Sequence, residues 1–414
     1  MKEADEDNKK EEQKDDVLLI KENSSKLIIN INNKKVDSFE IISKEEEFKD
    51  DYGFTDLSFK NIYQNNPLFK HVISHLSDYL ENKSNYTNKN IIECLSNFIN
   101  YDEFSEEIIN KILLNGIPES LPCLRPLIWK SLIGFFPLND LSKWEKISIS
   151  KLSDYKKIIE KYKFYPNDLK LENDQLLVIQ IDKDLPRTRF DCPFFQQKNT
   201  NNEKETNYDV LRRILFYYSH EHKEVSYVQG MNEIIAIIFY IISKDDNPFF
   251  KEYYESDAYF TFEKLMEEIK NIFLMEKKEY KDLFVSSQIE EIKKILKKVE
   301  PSLSNYFKKI ELEIDHFVMR WIVVMFAQEF TLDVAVNFWD RLFTQKKKLK
   351  FICYISVAII RHNKEKLMTM DAGDVMEWAQ ELQNKMNEMD INDIVKIALE
   401  TQKKYKRNES NNII

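Results

Sequence analysis

Ser226-Tyr227-Val228-Gln229-Gly230-Met231-Asn232 leads through Glu233 into Ile234–Ile242, a run in which every residue is apolar. From Gly230 to Ile242 the chain is apolar nearly all round, and a helix without a polar face is a buried one. This is the longest apolar run in the sequence, and it falls far short of the ~20 residues that cross a bilayer. It predicts a helix enclosed by protein.

Outward from that helix, apolar residues recur three and four apart. Upstream, Asp209 is placed to cap a helix whose Val210, Leu211, Ile214, Leu215 and Tyr218 form one stripe, and Gln196 to Asn207 reads as a polar, Asn-rich loop. Leu176 to Ile181 is a helix or a short extended piece, and periodicity alone does not decide. Arg125 to Phe136 reads as a helix entered through Pro126, and Leu141 to Lys163 has helical spacing. Downstream, Lys277 to Lys309 is a charged segment with Ile289, Ile292, Leu296 and Val299 at helical spacing. Asp315 is a candidate cap for a second buried helix, Phe317 to Phe330. Further helices are predicted over Ala335 to Leu342, Phe351 to Ile360, Val375 to Met386 and Ile391 to Leu399, with fraying past Arg407. Near the N-terminus, Met1 to Asp16 has a disordered composition, and Val17 to Ile20 and Leu27 to Ile31 predict a short strand or docking segment. Phe69, Val72, Ile73 and Leu76 have helical spacing, and Asn82 to Asn90 is a polar loop.

Composition points the same way. Open α/β sheets and β-sandwiches use glycine in tight turns, bulges and phosphate loops, and this chain of 414 residues has five. With 43% hydrophobic residues, 28 Phe and 20 Tyr, it can build a large aromatic-rich core. The predicted class is all-α, and no fixed-period repeat suggests a solenoid.

The net charge is −10 and the basic residues are spread among acids, which argues against a nucleic-acid binder. The cysteines at 94, 123, 192 and 353 form no CxxC pair, so neither a zinc site nor a disulfide framework is indicated, and the thiols are expected to be reduced. No secretory signal is visible, and a cytoplasmic protein is expected. With glycine only at 53, 116, 134, 230 and 373, the chain lacks a Walker A loop, a dinucleotide fingerprint and a nucleophile elbow. His220-Glu221-His222 reads as a solvated helix end, Asp245-Asp246-Asn247-Pro248 as a turn, and Lys346-Lys347-Lys348 as a solvated loop. Only nine of the 61 basic residues are Arg, so each Arg is a candidate for a planar, bidentate fork; Arg125, Arg187 and Arg320 come forward on that ground.

Two segments stand apart: Ile181-Asp182-Lys183-Asp184-Leu185-Pro186-Arg187-Thr188 and Tyr227 to Asn232. Taken singly, Asp184 and Arg187 make a helical i,i+3 ion pair and Gln229 ends a loop before a buried helix. Taken together and in order, they resemble the TBC domain family of GTPase-activating proteins for Rab GTPases. RxxxW stands at Arg125 to Trp129, IxxDxxR at Ile181 to Arg187 with Thr188 after it, and YxQGMN at Tyr227 to Asn232. Gly116-Ile117-Pro118 lies upstream as the family's opening motif does, and Phe317 to Phe330 and Asn337-Phe338-Trp339-Asp340 resemble its later helices. The spacing from Pro118 to Arg125 and the wording of Leu211 to Leu215 are similar to the branch called member thirteen.

The resemblance implies a two-lobed helical array and a GTPase activator without independent turnover. Arg187 is implied as an arginine finger and Gln229 as a glutamine finger, both offered in trans to a GTP-bound Rab. Asp184 is implied to orient Arg187. Thr188, Tyr227, Gly230 and Asn232 are implied as support, and Arg125 and Trp129 as structural. No cofactor or metal is expected on this chain, because the GTP and Mg²⁺ belong to the Rab. Vesicle trafficking is the implied process, with no transmembrane segment and with any membrane association made peripherally, on endomembranes, through the Rab. The other reading is a catalytically silent Rab effector or trafficking scaffold. The expected organisation is a largely disordered segment over 1–50, a helical extension over 51–109, the TBC domain over 110–365, helices packed on it over 366–405 and a disordered tail over 406–414.

Overall fold

A helix with no polar face needs neighbours on every side. In a computed structural model, described at residues 19–23, 26–31, 34–35, 106–117, 124–137, 142–164, 171–199, 202–245, 251–276, 284–382 and 390–410, the apolar run folds as Met231–Ser243. Every residue from Met231 to Phe239 in it is buried.

In chain order the helices are α1 (Glu106–Asn115), α2 (Leu124–Ile133), α3 (Ser142–Tyr162), α4 (Glu172–Asp184), α5 (Asn207–Glu221), α6 (Met231–Ser243), α7 (Tyr254–Ile269) and α8 (Phe284–Val299). They continue as α9 (Pro301–Lys309), α10 (Asp315–Val323), α11 (Leu332–Phe343), α12 (Lys348–His362), α13 (Lys364–Leu367), α14 (Ala372–Gln380) and α15 (Ile391–Ser410). Strands β1 (Leu19–Asn23), β2 (Lys26–Ile31) and β3 (Lys34–Lys35) form an antiparallel meander, and β4 (Lys198–Asn199) pairs with β5 (Asn202–Thr206). The fold is all-α with two small sheets. Helix α6 packs against α2, α5, α7 and α11 in one lobe. In the other, α12 packs against α8, α10 and α15, and α11 touches both groups.

Several local expectations need correction. Asp209 does not cap α5: Thr206 does, with Asp209 three residues inside completing a capping box in which each side chain bonds the other's backbone N–H. The stretch expected as a loop over Gln196 to Asn207 contains the β4–β5 hairpin, which delivers Thr206 to that cap. Asp315 lies inside the first turn of α10, and the helix stops at Val323 instead of running to Phe330. The chain there turns through left-handed backbone at Met325 (φ 48°) and Phe326 (φ 62°), and Phe326 stacks on Phe330 with ring centroids 5.1 Å apart. Leu176 to Ile181 resolves as helix within α4, and α15 continues to Ser410, past Arg407. Val17 to Ile20 and Leu27 to Ile31 overlap the first two strands. The helical spacing at Phe69 to Leu76, the loop at Asn82 to Asn90 and the segment Met1 to Asp16 lie outside the described residues.

One buried carboxylate ties α2 and the segment after α1 to α11. Asp340 of α11 accepts the backbone N–H of Ile117 (2.9 Å), Arg125 Nε (3.0 Å) and Nη2 (3.1 Å), and Trp129 Nε1 (2.8 Å). Arg125 Nη2 also donates to the Ile117 carbonyl at 2.6 Å. Gly116 takes left-handed backbone at φ +71°, and a Cβ there would stand 2.7 Å from Arg341 Nη1, so a residue without a side chain suits the turn that brings Ile117 to Asp340. Thus Arg125 and Trp129 hold α2 against α11. Asp340→Ala would leave the buried Arg125 charge without its partner, so it is expected to lower unfolding free energy by about 3–5 kcal/mol. Urea unfolding against the parent chain checks this.

Candidate functional site

Helix α4 ends at Asp184, where Pro186, which lacks an N–H, sits in a tighter 3₁₀ turn, Leu185–Arg187. The turn leaves Arg187 with its side chain 58% exposed while Asp184 and Thr188 on either side are buried. Arg187 Nη2 donates to Asp184 Oδ1. The other carboxylate oxygen, Oδ2, accepts the Tyr227 hydroxyl at 2.5 Å.

From Tyr227 the network closes on itself. The same hydroxyl lies 3.2 Å from Asn232 Oδ1, which also accepts the Gly230 N–H at 2.9 Å. Asn232 Nδ2 donates to Thr188 Oγ1 (2.8 Å), and that hydroxyl donates to the Asp184 carbonyl (2.9 Å). The Thr188 carbonyl accepts the Tyr208 hydroxyl at 2.7 Å. Asp184, Thr188, Tyr227 and Asn232 are all buried, so these bonds are made in a medium where a missing partner would be costly. Burial and the Asp184 carboxylate hold the Tyr227 phenol well above its ordinary pKa, which keeps it a donor.

Gln229 is exposed between buried Tyr227 and buried Gly230. Its loop leaves α5 at His222, whose carbonyl accepts the N–H groups of Val225 (3.0 Å) and Ser226 (2.8 Å). Ser226 (φ 58°) and Gly230 (φ 107°) both take left-handed backbone, which folds the chain back before α6. A Cβ on residue 230 would also meet Val324 Cγ1 at 3.2 Å. The structure therefore brings together Asp184, Arg187, Thr188, Tyr227, Gly230 and Asn232, with Gln229 leaving the same network two residues from Tyr227. Arg125 and Trp129 stand apart, at the α2–α11 junction.

Sequence reading missed a second layer. Arg189, also in left-handed backbone (φ 45°), is buried and donates through Nη1 to the carbonyls of Ala327 (2.6 Å) and Phe330 (2.9 Å). Its Nη2 reaches Asp191 at 2.9 Å. It thereby ties the Arg187 segment to the turn that follows α10. Glu233, in the first turn of α6, is buried and accepts from Gln328 Nε2 at 3.2 Å. Burial pushes its carboxyl up to about 7; Asp191 and Asp184 add to this, and Gln328 and Arg189 oppose it. The available signal for Arg189 was a second Arg two residues from Arg187 in an Arg-poor chain. Arg320 is occupied with buried Glu329, its Nη2 2.8 Å from Oε2. His222 Nε2 is 2.9 Å from Glu263 and His220 stacks on Tyr162, with ring centroids 4.8 Å apart. Among the described residues no three His, Cys, Asp or Glu converge on a possible metal position.

The sequence model of the Rab-GTPase-TBC domain matches residues 122–368. The chain is 29% identical over 167 residues to TBC1 domain family member 13 of Homo sapiens, covering 40% of this chain and 42% of that protein. It is 25% identical over 272 residues to the GTPase-activating protein GYP1 of Saccharomyces cerevisiae, covering 60% and 40%. The chain thus spans less than half the length of these relatives. The fold is similar to the crystal structure of the Ypt/Rab-GAP domain of Gyp1p, with a TM-score of 0.61 at 23% identity, covering 75% of this chain and 97% of that one.

Tyr227→Phe is expected to destabilise the chain by about 1.5–3 kcal/mol, the range for a hydrogen bond to a charged group, as read by denaturant unfolding. Glu233 sets a pH dependence. Its folded pKa is raised, so the folded chain binds more protons than the unfolded one between pH 4.5 and about 7, and stability falls as pH rises through that window. Glu233→Gln removes the loss: it is expected to be more stable than the parent by roughly 3 kcal/mol at pH 8 and to match it near pH 4. Melting curves at the two pH values measure the difference.

Proposed function

The chain belongs to the Rab-GTPase-TBC domain family, and from that membership we propose that it accelerates GTP hydrolysis by a Rab-family small GTPase, supplying Arg187 and Gln229 in trans. The partner is met in its GTP-bound form and brings its own GTP and Mg²⁺. Regulation of vesicle trafficking, from the cytoplasm or at endomembranes, follows from that partner.

Phosphoryl transfer to water spreads charge over the γ-phosphoryl oxygens, so catalysis depends on positioning and electrostatics. A guanidinium placed against those oxygens stabilises that charge. A carboxamide can accept a hydrogen bond from the attacking water and donate one to a phosphoryl oxygen, which sets the line of attack. Arginine fingers are worth about 10³–10⁵ in rate, roughly 4–7 kcal/mol of barrier. The reading is supported by one observation above all. The Asp184 carboxylate holds Arg187 through one oxygen and the Tyr227 end of the Gln229 loop through the other, while the Arg187 and Gln229 side chains stay exposed.

Single-turnover phosphate release from a panel of GTP-loaded Rabs tests the proposal. The parent chain is expected to accelerate release from at least one. Arg187→Lys keeps the charge but loses the fork, and is expected to lose about 10³-fold or more of the acceleration. Gln229→Ala is expected to lose a large part of it with unchanged thermal stability. Undiminished acceleration by Arg187→Lys, or Rab binding without faster release by the parent, overturns the proposed activity, and the second result identifies an effector.

A further inference from the structure

Two stretches about a hundred residues apart carry only positive charge. Ile292–Val299 holds Lys293, Lys294, Lys297 and Lys298 without a carboxylate, and Thr401–Asn408 holds Lys403, Lys404, Lys406 and Arg407 without one, in a chain whose net charge is −10. The fold brings them together at one end of the second lobe. Lys404 Nζ donates to the Val299 carbonyl at 2.7 Å. The Nζ groups of Lys298 and Lys350 lie 4.7 and 5.4 Å from the centroid of the same Tyr405 ring. Lys346 and Lys347 are exposed just before α12, beyond Lys348, which is buried and paired with Glu268.

Asp315, Glu290 and Glu313 gather on Lys293, and Glu291 takes Lys350. Lys294, Lys297, Lys403, Lys404, Lys406 and Arg407 are exposed. Lys294 and Lys297, three apart, share one face of α8, and Lys403 and Arg407, four apart, share one face of α15. Holding so many like charges together opposes folding, so an external anion is the natural counterpart.

We propose that this end of α8, α12 and α15 is a docking face for an anionic lipid bilayer. The chemistry of the face selects that occupant. None of the exposed large hydrophobics among the described residues lies on α8, α12 or α15, so the face lacks the apolar anchors around which protein interfaces concentrate their energy. The aromatics under these cations, Tyr354 and Tyr405, are buried and offer no ring for stacking on nucleic-acid bases. A spread of about six lysines and arginines on exposed helix surface matches a diffuse negative plane. Binding of this kind is independent of the GTPase-activating reading, and it would give the chain its own hold on the membrane beside any Rab.

Co-sedimentation of the full chain with vesicles tests it. Binding is expected to phosphatidylcholine vesicles containing about 30% phosphatidylserine and not to phosphatidylcholine alone, with release as salt is raised to about 0.5 M. Lys294→Glu with Lys297→Glu, and separately Lys403→Glu with Arg407→Glu, are each expected to lower partitioning about tenfold or more. All four positions are exposed, so far-ultraviolet circular dichroism should match the parent. A control pair on α3, Lys156→Glu with Lys157→Glu, makes the same change in net charge away from this face and is expected to leave binding unaltered. No sedimentation with phosphatidylserine vesicles, or equal loss in the control pair, overturns the proposal. Binding to polyglutamate without binding to vesicles also overturns it and assigns the face to an acidic protein.

Discussion

The buried carboxylate of Asp184 is the constraint on which the site depends. A carboxylate inside protein must have its oxygens satisfied, and here they are divided between two segments of chain: Oδ1 takes Arg187 and Oδ2 takes Tyr227. One segment is a single short 3₁₀ turn and the other a loop, so neither is long enough to hold its place unaided. The 3₁₀ turn after α4 and the loop before α6 are fixed to one another because both are fixed to Asp184. Asn232 then closes the ring from the first turn of α6, bonding the Gly230 N–H on one side and Thr188 on the other. The core supports this arrangement from behind, since α6 is held on all sides by α2, α5, α7 and α11.

Much of this was legible because the sequence states it locally. The apolar run Ile234–Ile242 has no polar face, and it forms the buried helix that its pattern requires. The residues of the Asp184 ring fall inside two short motifs, so the resemblance carried by those motifs brings forward Asp184, Thr188, Tyr227, Gly230 and Asn232. What was not legible depends on distant partners or on competition between local choices. Asp340 looks like one more acid on an amphipathic helix until Ile117, Arg125 and Trp129, more than two hundred residues away, converge on it. Arg189 bonds carbonyls at Ala327 and Phe330, which exist as acceptors only because α10 ends early. That ending was hidden because Phe317 to Phe330 keeps an apolar composition while the backbone leaves the helix at Val323. The cap of α5 was misplaced by three residues for a simpler reason: Thr206 and Asp209 are both good cap formers, and a reciprocal box uses both.

The left-handed residues are also informative. Arg189 and Ser226 are non-glycine residues with positive φ, and each stands within three residues of Arg187 or Gln229. Such backbone persists only where its surroundings determine it. For Arg189 the surroundings are the two carbonyls and Asp191; for Ser226 they are the His222 carbonyl and the buried Tyr227 that follows. Both bends aim an exposed tip while their neighbours remain in the core.

This division between exposed tips and buried anchors decides which substitutions speak to mechanism. Changing Asp184, Tyr227 or Asn232 breaks buried hydrogen bonds, so lost activity there would mix a misplaced tip with a loosened fold. Arg187 and Gln229 contribute little to the core, and Arg187 makes its one ion pair from a mostly exposed position, where such pairs stabilise weakly. A loss of rate at either tip with an unchanged melting temperature therefore isolates what the side chain does beyond the chain's own surface. The same separation explains how the anchors can be fully satisfied in the free protein. Their bonds are complete within the chain itself, so on the proposed reading an incoming GTPase meets a preformed frame whose buried ring is already satisfied.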